Sequence, residues 1–273
     1  MLHADLALAR RLEATEARCN ASFVEARAHL HPGGGAAWQR VGGTTVLFDT
    51  PESPLTQTFG LGLFAEATTA DPAQIEAFFA QRRAPVLHEV SPLAPAALPL
   101  LLAARGYQPI EHTNVLFREL TDLPAPPPNP VVSTRIIAPA EADSWARTAA
   151  AGWLPEAPEL ELFLREMGQL TARSAGMVPF VAEIEGQAVA TGGLFLGAGV
   201  TLLAGASTVP AGRRQGAQTA LLAARLHYAV AQGCTLATMG AHPGSQSQHN
   251  AERYGFQVAH STPQNFTECV YSI

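Results

Sequence analysis

Cysteine is scarce: only Cys19, Cys234 and Cys269 occur in 273 residues. None stands in a Cys-x-x-Cys pair, which argues against a zinc knuckle and a disulfide framework and favours a cytoplasmic setting. Long apolar runs are also missing. The densest, around Ala96 to Ala104, falls far short of the roughly 20 residues that span a bilayer. The opening MLHADLALARRLEATEARC mixes acidic, basic and apolar residues and has no apolar core of a secretory signal. No excess of positive charge exists: 17 basic against 23 acidic side chains give a formal net charge of -6. Gripping a nucleic-acid backbone takes clustered cations, so neither nucleic acid nor membrane is an expected partner. A Gly-x-x-x-x-Gly-Lys-Ser/Thr loop is absent, and Gly33-Gly34-Gly35 and Gly42-Gly43 are loop glycines without a Rossmann fingerprint. The nine histidines are scattered, with no His-x-x-x-His and supporting glutamate, so no metal site is expected.

What is abundant is alanine, glycine and proline, while charged residues make up only 15%. The length suits two domains of roughly 100–150 residues each. Leu123 to Pro130 reads LPAPPPNP, a stiff extended connector that excludes a helix. On either side of this seam a pattern recurs. Ala97 to Arg105 reads as a short helix followed by Gly106-Tyr107, and Ser247 to Tyr254 as another followed by Gly255-Phe256. A strand-like segment of similar length follows each, to Phe117 and to Phe266. The expectation is a duplicated unit, with domains 1–122 and 131–273.

The second half reads as strand (Val131 to Ile137), two helices (Glu141 to Ala151, Ala157 to Thr171), then three antiparallel strands. Those strands are Val178 to Ile184, Ala188 to Leu196 and Val200 to Thr208. Leu221, Leu222, Arg225, Leu226 and Val230 recur at helical spacing, Gly233 stops that helix, and Leu236 to Met239 forms a buried strand. The first half offers strands at Trp38 to Phe48, Thr56 to Phe64 and Pro85 to Val90, and a helix at Pro72 to Gln81 capped by Asp71. The fold class is α/β, a mixed antiparallel and parallel sheet with helices on both faces.

The sharpest signal lies between Ser207 and Phe256. In STVPAGRRQGAQTALLAARL a strand ends at Pro210, a turn carries Arg213, Arg214 and Gly216, and a helix follows at once. The first N–H groups of a helix lack internal partners and its dipole favours an anion there. Cations at that end oppose the dipole unless an anion joins them, so the pattern points to a phosphate. Arg213 to Gln218 resembles the Gln/Arg-x-x-Gly-x-Gly/Ala signature of the GCN5-related N-acetyltransferase (GNAT) family, with Pro210 three residues ahead and Tyr254-Gly255-Phe256 as its later landmark. Gln218 departs from the small final position. The likeness covers residues 131 to 273 well and 38 to 120 more faintly.

The resemblance implies a duplicated acyl-CoA N-acyltransferase fold that transfers an acetyl group from acetyl-CoA to a small-molecule amine. It implies backbone contacts from Thr208 and Val209 to the pantetheine arm, and an oxyanion held by an N–H near Val209. Arg214, Gln215, Gly216, Ala217, Gln218 and Thr219 would cradle the pyrophosphate; Arg213 either joins them or braces the loop. Ser247 and Asn250 would face the coenzyme from the short second helix, or cap that helix together with Ser245. The first half, with Asp71 and Glu76 at its helix start, would be a degenerate copy without coenzyme. A homodimer is among the assemblies left open.

The proton-transfer groups are the weak part. Many family members place a tyrosine five residues before the phenylalanine of the Gly-Phe turn; here that position is Ala251. Tyr254 and His249 are the nearest candidates for the acid, and the Val200 to Thr208 strand holds no Glu, Asp or His to act as base. The alternative reading is therefore a non-catalytic acyl-CoA sensor or structural partner protein.

Overall fold

The computed structural model describes residues 4–66, 68, 70–125, 129–155 and 157–267. Cys269 and the three central prolines of the seam, 126–128, lie outside the described residues. The chain divides into two compact units: Met1–Arg118 with Gly240–Ile273, and Glu119–Met239.

The first unit begins with α1, Leu6–Leu30, which the sequence reading left without an element. Asp5 caps it, its carboxylate accepting from the Leu8 N–H at 2.8 Å, and alanine-rich composition supplies propensity. Its buried side sets Ala17, Ala21 and Val24 against Leu47 and Phe59. Arg27 from α1 meets Asp49 in a buried bidentate pair at 2.6 and 2.9 Å. The expected strand Trp38 to Phe48 is instead a hairpin of β1 (Ala37–Val41) and β2 (Thr44–Phe48), turned at Gly42-Gly43. The expected strand to Phe64 stops early: β3 covers only Gln57–Phe59, because Gly60 follows at φ +82°. Then come α2 (Ala70–Ala80), β4 (Val86–Glu89), α3 (Ala97–Ala104) and β5 (Gln108–Glu119). From the end of the chain, α7 (Gln246–Arg253) and β11 (Gln257–Thr267) complete this unit. Its strands run β1-β2-β3-β4-β11-β5, with β11 antiparallel to both neighbours.

The second unit holds β6 (Val132–Ile136), α4 (Ala142–Ala151), α5 (Glu161–Arg173), β7 (Met177–Ile184) and β8 (Gln187–Leu196). It continues with β9 (Val200–Thr208), α6 (Ala217–Ala231) and β10 (Leu236–Ala241), whose last residues pass into the first unit. The strand order is β10-β9-β8-β7-β6, antiparallel except for β10 beside β9. Glu185 and Gly186 both take positive φ, +50° and +75°, the two-residue turn that fits a twisted hairpin. Trp145 and Phe180 are buried, and the Trp145 indole donates to the Phe180 carbonyl at 2.7 Å. These two residues are core, whereas Trp153 is 48% exposed. Losing a buried aromatic of that kind costs about 3–5 kcal/mol.

Candidate active site

The site begins with an interruption in β9. Its ladder with β10 pairs only Val200, Thr201 and Leu202 with Leu236, Ala237 and Thr238. Beyond Leu202 no strand among the described residues pairs with that edge. On the other side, Thr191 pairs with Ser207 but Gly193 pairs with Ala204. Gly192 therefore faces two residues, Gly205 and Ala206, in a β-bulge. Both bulged residues are exposed between buried Leu203 and Ser207. A bulge bends a strand and turns backbone groups out of the ladder, so β9 presents main chain along an open edge.

After Thr208 the chain turns tightly. The Val209 N–H donates to Val189 O at 2.9 Å, so this group is already engaged and is not a spare oxyanion donor. Pro210–Gly212 makes a single 3-10 turn against β8. A Cβ on Gly212 would stand 2.6 Å from the Val189 Cβ, so no larger residue fits. Arg214 and Gly216 then take left-handed φ, +61° and +83°, and Gly216 is the N-cap of α6. The cap has no side-chain hydrogen bond, and the first turn has no acidic residue. The helix start is thus an uncapped, electropositive end. Arg214 beside it is exposed and has no hydrogen-bond or ion-pair partner among the described residues.

The neighbours hold this loop in place. Arg213 donates to Thr208 O at 3.3 Å and Gly152 O at 2.9 Å, which is the bracing role. Gln218 turns back too: its amide donates to Ser207 O at 2.7 Å and Thr208 Oγ1 at 2.8 Å. The bulky side chain at the normally small position ties helix to strand. Ser207 donates to Ala149 O at 2.8 Å, and Gly152 lets the end of α4 close on β9, where a Cβ would stand 2.7 Å from Ser207 Oγ. Asn129, from the seam, donates to Gln215 O at 3.0 Å and accepts from the Val131 N–H at 3.1 Å. A Cβ on Gly216 would fall 2.7 Å from its amide nitrogen. Sequence reasoning missed Asn129; its place between prolines marks a turn but not what the turn rests against.

Arg225 was also missed, counted only within the spacing of α6. It is buried and donates to Gly193 O at 3.0 Å and Leu221 O at 3.2 Å. Its guanidinium lies over Gly192, where a Cβ would come within 2.8 Å of Cζ. No carboxylate pairs with it among the described residues, and burial lowers its pKa to about 10. It supports β8 opposite the bulge.

The remaining candidates lie on α7 in the first unit. Ser245 is the cap, accepting from the Gln248 N–H at 3.3 Å, so Ser247 is not. Asn250 accepts from Gln246 at 2.9 Å and Arg253 at 3.3 Å. The His249 ring nitrogen Nδ1 lies 2.8 Å from Ser245 O. Ala251, at the expected acid position, is buried and aprotic. Tyr254 ends the helix, half-buried, with its carbonyl accepting from Arg118. Glu183, the carboxylate at the end of β7, is 2.7 Å from Arg135 in an ion pair. Among the described residues no group of three His, Cys, Asp or Glu could hold a metal ion, and no helix is long and apolar enough to cross a membrane.

Residues 141–256 match the model of the acetyltransferase (GNAT) family. No curated protein matches the sequence. Among solved structures, a GCN5-related N-acetyltransferase from Kribbella flavida is similar with a TM-score of 0.62 at 20% identity, covering 92% of this chain and 94% of that one. A tandem GNAT protein from the clavulanic acid biosynthesis pathway is similar with a TM-score of 0.62 at 14% identity, covering 100% and 98%. A functionally unknown conserved protein from Staphylococcus epidermidis gives 0.61 at 9% identity, covering 88% and 96%. Identities this low speak for the fold alone, the mixed-sheet acyl-CoA N-acyltransferase fold. The interrupted β9 and the uncapped α6 behind an Arg-x-x-Gly turn both fall within the stretch that matches the acetyltransferase (GNAT) family model.

Proposed function

We propose that this protein transfers an acetyl group from acetyl-CoA to the amine of a small molecule. The observation that carries the reading is the start of α6: an uncapped helix N-terminus without acidic side chains, entered through left-handed Arg214 and Gly216. The pyrophosphate would lie against the N–H groups of Gln215 to Thr219, with Arg214 supplying charge from outside. The residues fit such a group because Arg213 and Gln218 are spent on bracing, so the cradle is shaped before any ligand arrives. The exposed main chain of the β9 bulge would run beside the pantetheine arm and offer an N–H to the developing oxyanion. In the reaction the amine nitrogen bonds to the thioester carbonyl carbon, the C–S bond breaks, and the amine's proton leaves as the thiolate is released. Positioning supplies most of the acceleration, since Ala251 carries no proton and Tyr254 is at most an auxiliary acid.

We further propose that the first half is a degenerate copy that no longer takes coenzyme. Each unit contains a parallel strand–helix–strand step, β3-α2-β4 and β9-α6-β10, which supports the tandem form. Ala251 in place of a proton donor favours the second reading, an acyl-CoA sensor without turnover. Thiol release from acetyl-CoA against a panel of amines distinguishes the two. Turnover with at least one amine is expected, and Tyr254→Phe should lose less than about tenfold, whereas true general-acid loss costs about 10²–10⁴-fold. Tight coenzyme binding with no thiol release from any amine would move the protein to the sensor reading.

A further inference from the structure

Away from α6, the first unit contains a cavity of about 230 Å3 between α1 and the β1–β2 hairpin. Its floor is the small-residue side of α1, Ala14, Ala17 and Ala21, and its apolar walls are Trp38 and Phe64. Two cations reach it, Arg18 and Arg40, and they differ in one respect. Arg18 is held by Glu25 in a two-point ion pair at 2.7 and 2.9 Å, and Glu25 also accepts from the Trp38 indole at 3.0 Å. Arg40 has no hydrogen-bond or ion-pair partner among the described residues.

The polar group next to Arg40 points the same way. Arg40 and Thr45 are directly opposed in the β1–β2 ladder, so their side chains share one face of the hairpin. Trp38, two residues before Arg40, shares it as well. Thr45 is only 6% exposed, lines the cavity, and its hydroxyl has no hydrogen-bond partner among the described residues. A hydroxyl in the cavity wall without a protein partner is available to donate to a ligand acceptor. Arg40 and Thr45 together offer donors to one acceptor group, and no unpaired carboxylate lines the cavity to suit a cation.

We propose that this cavity binds a small carboxylate with an apolar, preferably aromatic, body. The carboxylate sits between the Arg40 guanidinium and the Thr45 hydroxyl; the body lies on the alanine floor against Trp38 and Phe64. One unpaired guanidinium and one hydroxyl suit a monoanion, whereas a doubly charged phosphate would call for more cations. The site is independent of the acetyl-transfer reading, and its failure leaves that reading untouched.

Calorimetry on the full chain at low salt tests it with three probes: phenylacetate, its neutral isostere phenylacetamide, and acetate, which has the charge without the body. Phenylacetate is expected to bind at least about tenfold more tightly than either, the range of one hydrogen bond to a charged group. Arg40→Gln should erase the preference for acid over amide, and Ala14→Phe, at an exposed helix position, should fill the floor and remove binding of both. Melting temperatures confirm that the variants are folded. Equal affinity for acid and amide, an unchanged preference in Arg40→Gln, or no phenylacetate binding at millimolar concentration overturns the proposal.

Discussion

Two helices in this molecule begin after a strand that lies parallel to the next one, and they begin differently. At α6, the turn carries Arg213 and Arg214, and no acidic residue stands in the first turn. At α2, Asp71 stands in the first turn and its carboxylate accepts from the Thr68 N–H at 2.8 Å. Glu76 further along α2 is paired with Arg105 at 2.9 Å. At α2 a carboxylate already stands in the first turn, whereas α6 begins with none beside its N–H groups. The lesson is that the charge occupying one turn decides whether the same topological step suits an anion.

The largest break in that contrast should come from Gly216→Glu. The substitution forces a side chain onto a residue at φ +83° and against Asn129, and adds an anion to the cradle. Coenzyme binding by calorimetry should fall by more than about 100-fold, combining strain with charge repulsion. Unchanged affinity would show that the site is elsewhere. The strain enters from a direction the sequence did not reveal, since the space beside Gly216 holds the seam rather than solvent.

A difference in acid stability follows from the first unit. Glu13 is buried and accepts from the Gly60 N–H. Burial, with a smaller contribution from Glu16, pushes its pKa from 4.5 up to about 8. Burial likewise pushes Glu16 to about 7, and Glu89 stands well above its ordinary value for the same reason. A raised carboxyl contributes stability that is complete below its unfolded value and is lost as pH rises through the folded one. His88, lowered by burial to about 3, has the opposite sign: its contribution is complete above 6.5 and lost as pH falls toward 3. Above pH 6.5 the carboxyl effect remains, joined toward pH 9 by the Cys19 and Cys234 thiols, which burial also raises. The urea midpoint should therefore drop between pH 6.5 and 9 in the wild type and drop less in Glu13→Gln. Equal slopes for the two proteins would remove Glu13 from the account.

Arg214→Ala should act more gently, weakening coenzyme binding by about three- to tenfold and reducing its dependence on salt, as for one solvent-exposed cation facing a phosphate. A salt titration of the affinity is the check, and identical salt slopes would deny Arg214 any contact. The smallest expected effect is at the other helix. Asp71→Asn removes the anion from α2, yet the bound coenzyme should stay at one per chain, because β3 offers only three residues beside β4 and no Arg-x-x-Gly turn follows it. A stoichiometry of two would mean that charge alone had closed that site.

Some of this was legible early. The Arg-x-x-Gly turn, the proline before it and the helix after it are local, and local chemistry fixes their geometry. The strands of the second unit follow the hairpin Glu185-Gly186 and the turn at Gly199 closely for the same reason. Element boundaries in the first unit were harder. Gly42-Gly43 breaks an apparently continuous strand, and Gly60 ends another, because period-2 patterning does not register where backbone reverses. α1 escaped because its small alanine face makes a weak apolar stripe.

The sequence by itself determined the family signature, the electropositive helix start and the missing proton donor at Ala251, since each depends on residues close together in the chain. Only the tertiary structure decided what Gln218, Arg213, Asn129 and Arg225 do. Each contacts a partner at least five residues away, and every one of these contacts ends on a backbone carbonyl that has no identity in the sequence. It also decided that β11 pairs with β4 and β5, where register and burial, rather than chain order, select the neighbour.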